Sequence, residues 1–194
     1  MAILLGLLAP LQVFNDIVLR IGRGIGVVAI ALMVAAILMQ VFFRYVLNNA
    51  QPWPEEAARF MMLWMTGLMA PSAYRRGGFV AIDMAVDALP RRVGEILSLI
   101  LLVLALLVMV MGIQLGQNHV KSGWLFASSS LYLPLELVGM VGFKIKLAWM
   151  YMSLYVGLIL LAIVNVELIL RTVISLFGGE DRLRPMLEAD LAVK

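Results

Sequence analysis

Polar and apolar positions divide this chain into four long uncharged runs separated by short charged clusters. Residues 24–43 form twenty consecutive positions without a charge. At about 1.5 Å per helical residue that is long enough for a hydrocarbon core of about 30 Å. The other runs are 60–74, 96–118 and 147–166. Before the first run, Gln12, Asn15, Asp16, Arg20 and Arg23 recur at helical spacing, while Val13, Phe14, Ile17, Val18 and Ile21 fill the opposite side. This predicts an N-terminal amphipathic arm, residues 1–22, lying on the membrane surface. Gly22, Gly24 and Gly26 would mark its bend into the first span. No Lys or Arg precedes the apolar start and no small-residue cleavage pattern follows it, which fits a cleaved signal peptide poorly.

The spans predicted from these runs are about 23–46, 54–76, 91–118 and 141–171, with a charged tail at 178–194. Pro54 followed by Glu55 and Glu56 is a helix-start pattern, since proline suits the first turn and carboxylates suit the positive end of the helix dipole. The uncharged part of span two is short. Counted from residue 54 to 76, its helix reaches about 34 Å, and Pro71 is positioned to bend its last turns. Beyond it, Phe79, Ile82, Val86 and Leu89 share one face and Asp83 and Asp87 another, which predicts a second, short surface helix between spans two and three. Residues 121–142 contain Ser128, Ser129, Ser130 and Pro134, and read as an outer loop packed on the bundle or as a re-entrant segment. The fold class is therefore an all-α integral membrane protein: four transmembrane helices and two surface helices in a single membrane domain, 1–194.

Composition supports that class. Of the 194 residues 63% are hydrophobic and 14% charged, with a mean hydropathy of +1.01, whereas a soluble domain carries roughly a quarter charged residues. The formal charge of +3 is explained first by arginines beside spans, so nucleic acid is not a partner. With both termini on one side, that side collects ten Lys and Arg and the other five, which places both termini in the cytoplasm. The absence of cysteine excludes disulfides and thiolate chemistry, and the single histidine, His119, cannot supply paired haem ligands or a Ser-His arrangement. No Walker-type phosphate loop is present. The reading is non-enzymatic, with no cofactor or metal in this chain. Spans one, three and four carry no charge in their central parts, so a substrate path through this chain alone is hard to draw.

One charged cluster stands out. Arg59 follows Glu55 by four residues and Glu56 by three, so all three can meet on one helix face. Either this is an ordinary interfacial helix start, or a charge pair at the hydrocarbon edge locks helices or grips a partner subunit. Trp53 suits an interfacial belt, whereas Trp64 lies deeper, against protein or lipid.

Taken as an ordered set, Arg44-Tyr45, Trp53, Glu55-Glu56, Arg59, Trp64, Gly67, Arg75, Gly77, the Val80-x-Ile82-Asp83 run and Leu89-Pro90 resemble the small membrane subunit of tripartite ATP-independent periplasmic (TRAP) transporters. Phe79 stands where that family often has histidine, and Val141 where a second proline is common. The resemblance implies a bacterial inner-membrane scaffold subunit of a secondary transporter importing an organic acid. Its partners would be membrane lipid, a large elevator-type membrane subunit in a stable heterodimer, and a transient periplasmic binding protein. Coupling sodium ions are expected in the large subunit. The subunit-interface or anchoring residues would be Arg44, Tyr45, Trp53, Glu55, Glu56, Arg59, Trp64, Arg75 and Asp83. The competing reading is a self-contained four-span carrier or exporter acting as a homo-oligomer.

Overall fold

The structure is a computed structural model and describes residues 2–49, 51–77, 89–133 and 143–179. Its helices are α1 (Ala2–Tyr45), α2 (Trp53–Arg75), α3 (Arg91–Gly123) and α4 (Ala148–Leu176). Strands β1 (Ala127–Leu133) and β2 (Phe143–Lys146) lie between α3 and α4. Three of the helices, α1, α3 and α4, are long and apolar enough to cross a membrane. The predicted surface helix around Asp83 and the charged tail from residue 180 lie outside the described residues.

Two sequence expectations are corrected. The arm and the first span are parts of one helix: α1 runs for 44 residues through Gly22, Gly24 and Gly26. Two of these glycines serve close packing instead. A Cβ on Gly22 would sit 3.2 Å from the Leu68 carbonyl oxygen, and one on Gly26 would sit 2.6 Å from Met69 Cγ. The second correction concerns which side of the arm is covered. Leu8, Gln12, Asn15, Leu19, Gly22, Gly26 and Ala29 are buried, spaced by alternating steps of four and three, which is the seam of one helix packed along others. Gln12 and Asn15 are thus turned inward, while Val13, Phe14, Ile17 and Ile21 are exposed. In a medium of lipid tails, apolar side chains gain nothing by leaving the surface, and polar ones gain by finding protein partners.

The third difference lies between α3 and α4. The region read as a loop carries a strand, and α4 begins at Ala148 rather than near residue 141. β1 and β2 pair antiparallel, with Ala127 opposite Lys146, Tyr132 opposite Lys144 and Leu133 opposite Phe143, and an irregularity between Ala127 and Tyr132. Among the described residues this small hairpin is the exception to the helical fold. At its other end α4 finishes at Leu176, and Gly178 just beyond it takes a φ of 72°. The Gly179 N–H then donates to the Ile174 carbonyl at 3.0 Å, closing the helix by a left-handed glycine cap.

The chain forms two compact units. The first comprises Met1–Ile21, Ala70–Met111 and Ile159–Lys194. Its core is Leu19, Tyr74 and Val164, flanked by Leu102, Met109, Leu161 and Leu168. The second comprises Gly22–Met69 and Gly112–Leu158. There α2 and α4 touch backbone to backbone, because a Cβ on Gly157 would lie 2.8 Å from both Cα and O of Gly67. The hairpin belongs to this second unit.

Candidate functional site

The charged residues that an apolar helix must place somewhere are gathered in the first unit around Arg75, the last residue of α2. Its side chain is fully buried. Nη1 donates to Asp16 Oδ1 of α1 at 2.5 Å, and Nη2 donates to Glu167 Oε1 of α4 at 2.8 Å. Arg171, one turn beyond Glu167, donates from Nε to the same Oε1 at 3.1 Å. Asn15 Nδ2 donates to the other carboxylate oxygen, Oε2, at 2.6 Å. Glu167 therefore accepts from three side chains supplied by three helices, and it too has no exposed side-chain surface.

The four charges of this cluster, Arg75 and Arg171 against Asp16 and Glu167, cancel. Burial of any one of them alone would cost several kcal/mol, so the sum must be close to neutral for the cluster to exist inside the unit. A second polar contact lies in the same unit. Tyr74 donates its hydroxyl to Asn165 Oδ1 at 2.7 Å, and Asn165 Nδ2 donates to the Leu102 carbonyl of α3 at 2.9 Å. Together these contacts tie α1, α2, α3 and α4 with directional bonds where apolar packing alone would leave rotation and register free.

The second unit holds the cluster at the start of α2. Arg59 Nη2 donates to Glu55 Oε1 at 2.5 Å, and Gln40 Nε2 of α1 approaches Glu55 Oε2 at 3.4 Å. The Glu55 and Arg59 side chains are 53% and 72% exposed. Glu56 does not join them. It accepts a hydrogen bond from Ser128 Oγ of β1 at 2.5 Å, while Ser128 Oγ accepts from the Leu131 N–H at 2.9 Å. Trp64 stacks at an angle near Phe60, with centroids 6.4 Å apart. Its Nε1 is buried without a hydrogen-bond partner among the described residues. Arg44 and Tyr45 are exposed at the end of α1, and Trp53 is exposed at the start of α2. Asp83 lies outside the described residues.

Of the sequence-selected residues, then, Glu55 and Arg59 are the pair brought into contact among the described residues. Arg75 belongs to a different cluster, whose other members Asn15, Asp16, Glu167 and Arg171 the sequence reading left outside its candidate set. A signal for them existed: a Glu and an Arg four residues apart within an apolar helix, at 167 and 171, already form a pair that needs further partners. Among the described residues no three His, Cys, Asp or Glu side chains converge as a metal site would need.

A protein-family model described as tripartite ATP-independent periplasmic transporters, DctQ component, matches residues 33–174. The chain belongs to this family. It is a component of a TRAP transporter, a multi-pass protein of the inner membrane, and a member of a family that works with a large membrane partner and a substrate-binding protein. Among curated proteins it is similar to the sialic acid TRAP transporter small permease protein SiaQ of Vibrio cholerae. The two are 29% identical over 170 residues, covering 87% of this chain and 90% of that protein. The family-model match takes in α2, α3 and the hairpin in full, together with α1 from Met33 onward and α4 up to Ile174.

Proposed function

We propose that this DctQ-family subunit is a non-catalytic scaffold, packing against and stabilising the large membrane subunit of a TRAP transporter that imports an organic acid. The observation that carries this reading is the internal neutralisation of the buried charges. Among the described residues Arg75 pairs with Asp16 and Glu167, and Arg171 pairs with Glu167, whereas a carrier needs ionisable groups that meet substrate or ion. The relative's name specifies a sialic acid, an acidic sugar, which lies within the organic-acid class.

In this reading α2 is the fourth span. Its length of 23 residues gives about 34 Å, and its polar residues Ser72 and Arg75 are buried rather than turned to lipid. Both termini lie in the cytoplasm, the segment around Asp83 anchors at the membrane surface, and coupling sodium ions bind in the large subunit. The periplasmic binding protein docks transiently. Arg44, Tyr45, Trp53, Glu55, Arg59 and Trp64 form the docking and anchoring region. Support comes from the Glu55, Arg59 and Gln40 group, an exposed polar patch beside the exposed apolar side chains Leu38, Met39, Met62 and Leu63. Polar groups at a hydrocarbon edge gain most from a protein partner.

Co-expression with a large TRAP membrane subunit tests the proposal. A tagged chain should retain that subunit through purification, and Glu55→Gln with Arg59→Gln should lower its recovery and substrate uptake while leaving thermal stability unchanged. Transport by the purified chain alone in liposomes would overturn the scaffold reading in favour of a self-contained carrier.

A further inference from the structure

At the junction of α3 and the hairpin the second unit presents an aromatic and basic tip. Trp124, Leu125 and Phe126 follow the end of α3 and are exposed, Leu125 by 81%, and Trp149 is exposed in the first turn of α4. The rings of Trp124 and Trp149 meet edge to face at 6.2 Å. Lys146 of β2 places Nζ 5.2 Å from the centre of the Trp124 ring. Lys144, two residues earlier on the strand, is exposed and shares its side of the strand by the period-two rule. Lys121 lies three residues before Trp124 and is also exposed, on the neighbouring surface of the last helical turn. Residues 119–133 and 143–151 contain no carboxylate, and Glu136, in the connection between the strands, lies outside the described residues. The acid that reaches the hairpin from α2, Glu56, accepts from Ser128.

We propose that this tip is a binding site for the headgroup of an anionic phospholipid, with Lys144 and Lys146 taking the phosphate and Trp124 and Trp149 seated at the glycerol level of the same leaflet. Three observations converge on that occupant. The tip lies where α3 ends and α4 begins, two helices long and apolar enough to cross the bilayer, so it falls at the headgroup layer. Its indole pair has the amphipathic character that this layer selects. Its lysines stand as cations with an aromatic platform beneath one of them, complementary to an anionic surface rather than to the neutral hydrocarbon below it. The site adds lipid selectivity to a subunit whose exposed side chains along the middle of α3, from Ile96 to Met111, are apolar.

The chain contains four tryptophans, so replacing Trp53 and Trp64 by phenylalanine leaves fluorescence from the tip alone. The full chain is reconstituted in phosphatidylcholine vesicles containing a minor fraction of phosphatidylglycerol, with bromine on the acyl chains of one lipid or the other. Brominated phosphatidylglycerol should quench beyond its mole fraction, by at least about twofold given the attraction each surface lysine exerts on anionic lipid. Lys144→Gln with Lys146→Gln should remove that excess while quenching by brominated phosphatidylcholine persists. Native mass spectrometry of the chain with its natural tryptophans gives an independent reading, as retained phosphatidylglycerol that the lysine variant loses. Quenching in proportion to mole fraction for both lipids, with no retained anionic lipid, would overturn the proposal. So would protection of both indoles from either lipid, which would mean that protein covers the tip.

Discussion

Replacing Glu167 by glutamine should be among the most damaging single changes available in this protein, although it alters no side-chain volume. The substitution keeps an oxygen for one donor but removes the charge that faces two buried guanidiniums. Arg75 has no exposed side-chain surface and Arg171 has 11%, so water screens neither. Asp16 would remain as the carboxylate partner of Arg75, and both guanidiniums would lose the charge of Glu167. Breaking a buried pair by removing one partner costs about 3–5 kcal/mol, a large part of the roughly 5–15 kcal/mol that holds a typical domain together. At about 2–4 °C per kcal/mol for a chain of this size, the melting temperature in detergent should fall by roughly 6–20 °C. Arg75→Met should act similarly, by stranding a carboxylate. Combining Arg75→Met with Glu167→Met leaves Asp16 against Arg171, charge-balanced again, and should be less damaging than the sum of the two single changes. The matched control is the exposed pair, since a surface ion pair contributes about 0–1 kcal/mol. The reasoning fails if Glu167→Gln melts within about 2 °C of the parent, or if the two methionine substitutions simply add.

Three further outcomes follow from the packing. Gly67→Leu should destabilise by at least the 1–3 kcal/mol typical of overpacking, because its Cβ would press into the Ser153 carbonyl, whereas Gly24→Ala, with open space around its Cβ, should leave the melting temperature unchanged. Asn165→Leu removes the acceptor of Tyr74 and the donor to Leu102. On the scale of interhelical bonds in membranes this should cost about 1–2 kcal/mol, read as a melting shift that Tyr74→Phe partly reproduces. Ser128→Ala frees the Leu131 N–H and removes the hydrogen bond that Glu56 accepts from Oγ, so hydrogen exchange at Leu131 should accelerate while amides in the middle of α3 keep their protection.

Much of the helical framework was readable from the run lengths. The α2 boundary sits where Pro54, Glu55 and Glu56 predict it, and the 60–74 run stops at Arg75 as the helix does. The hairpin was not readable. The serines at 128–130 signalled a break in helix, but β pairing depends on a partner strand at 143–146 whose alternation, Lys144 and Lys146 against Phe143 and Ile145, is only four residues long. Such a run merges visually with the apolar helix that follows it, and that is why α4 was begun seven residues early.

The N-terminal half of α1 shows a different limit. Its amphipathicity was evident, and so was its helical period; what the pattern leaves open is which side meets the solvent. In water the apolar stripe would be covered. Beside lipid tails the order reverses, and the side carrying Gln12, Asn15 and Asp16 becomes the one that must find protein. That reversal also decides the role of Arg75. As an arginine at a span end, it was expected to mark a water interface and a place for a partner. Instead it is Asp16 on that inward side, together with Glu167 from a helix nearly a hundred residues later, that makes its burial tolerable. The pairing is non-local, and no spacing rule within one helix contains it. The local half, Glu167 with Arg171, was visible; a lone acid and base at four-residue spacing inside an apolar run is better taken as one edge of a larger neutral cluster than as the end of a span.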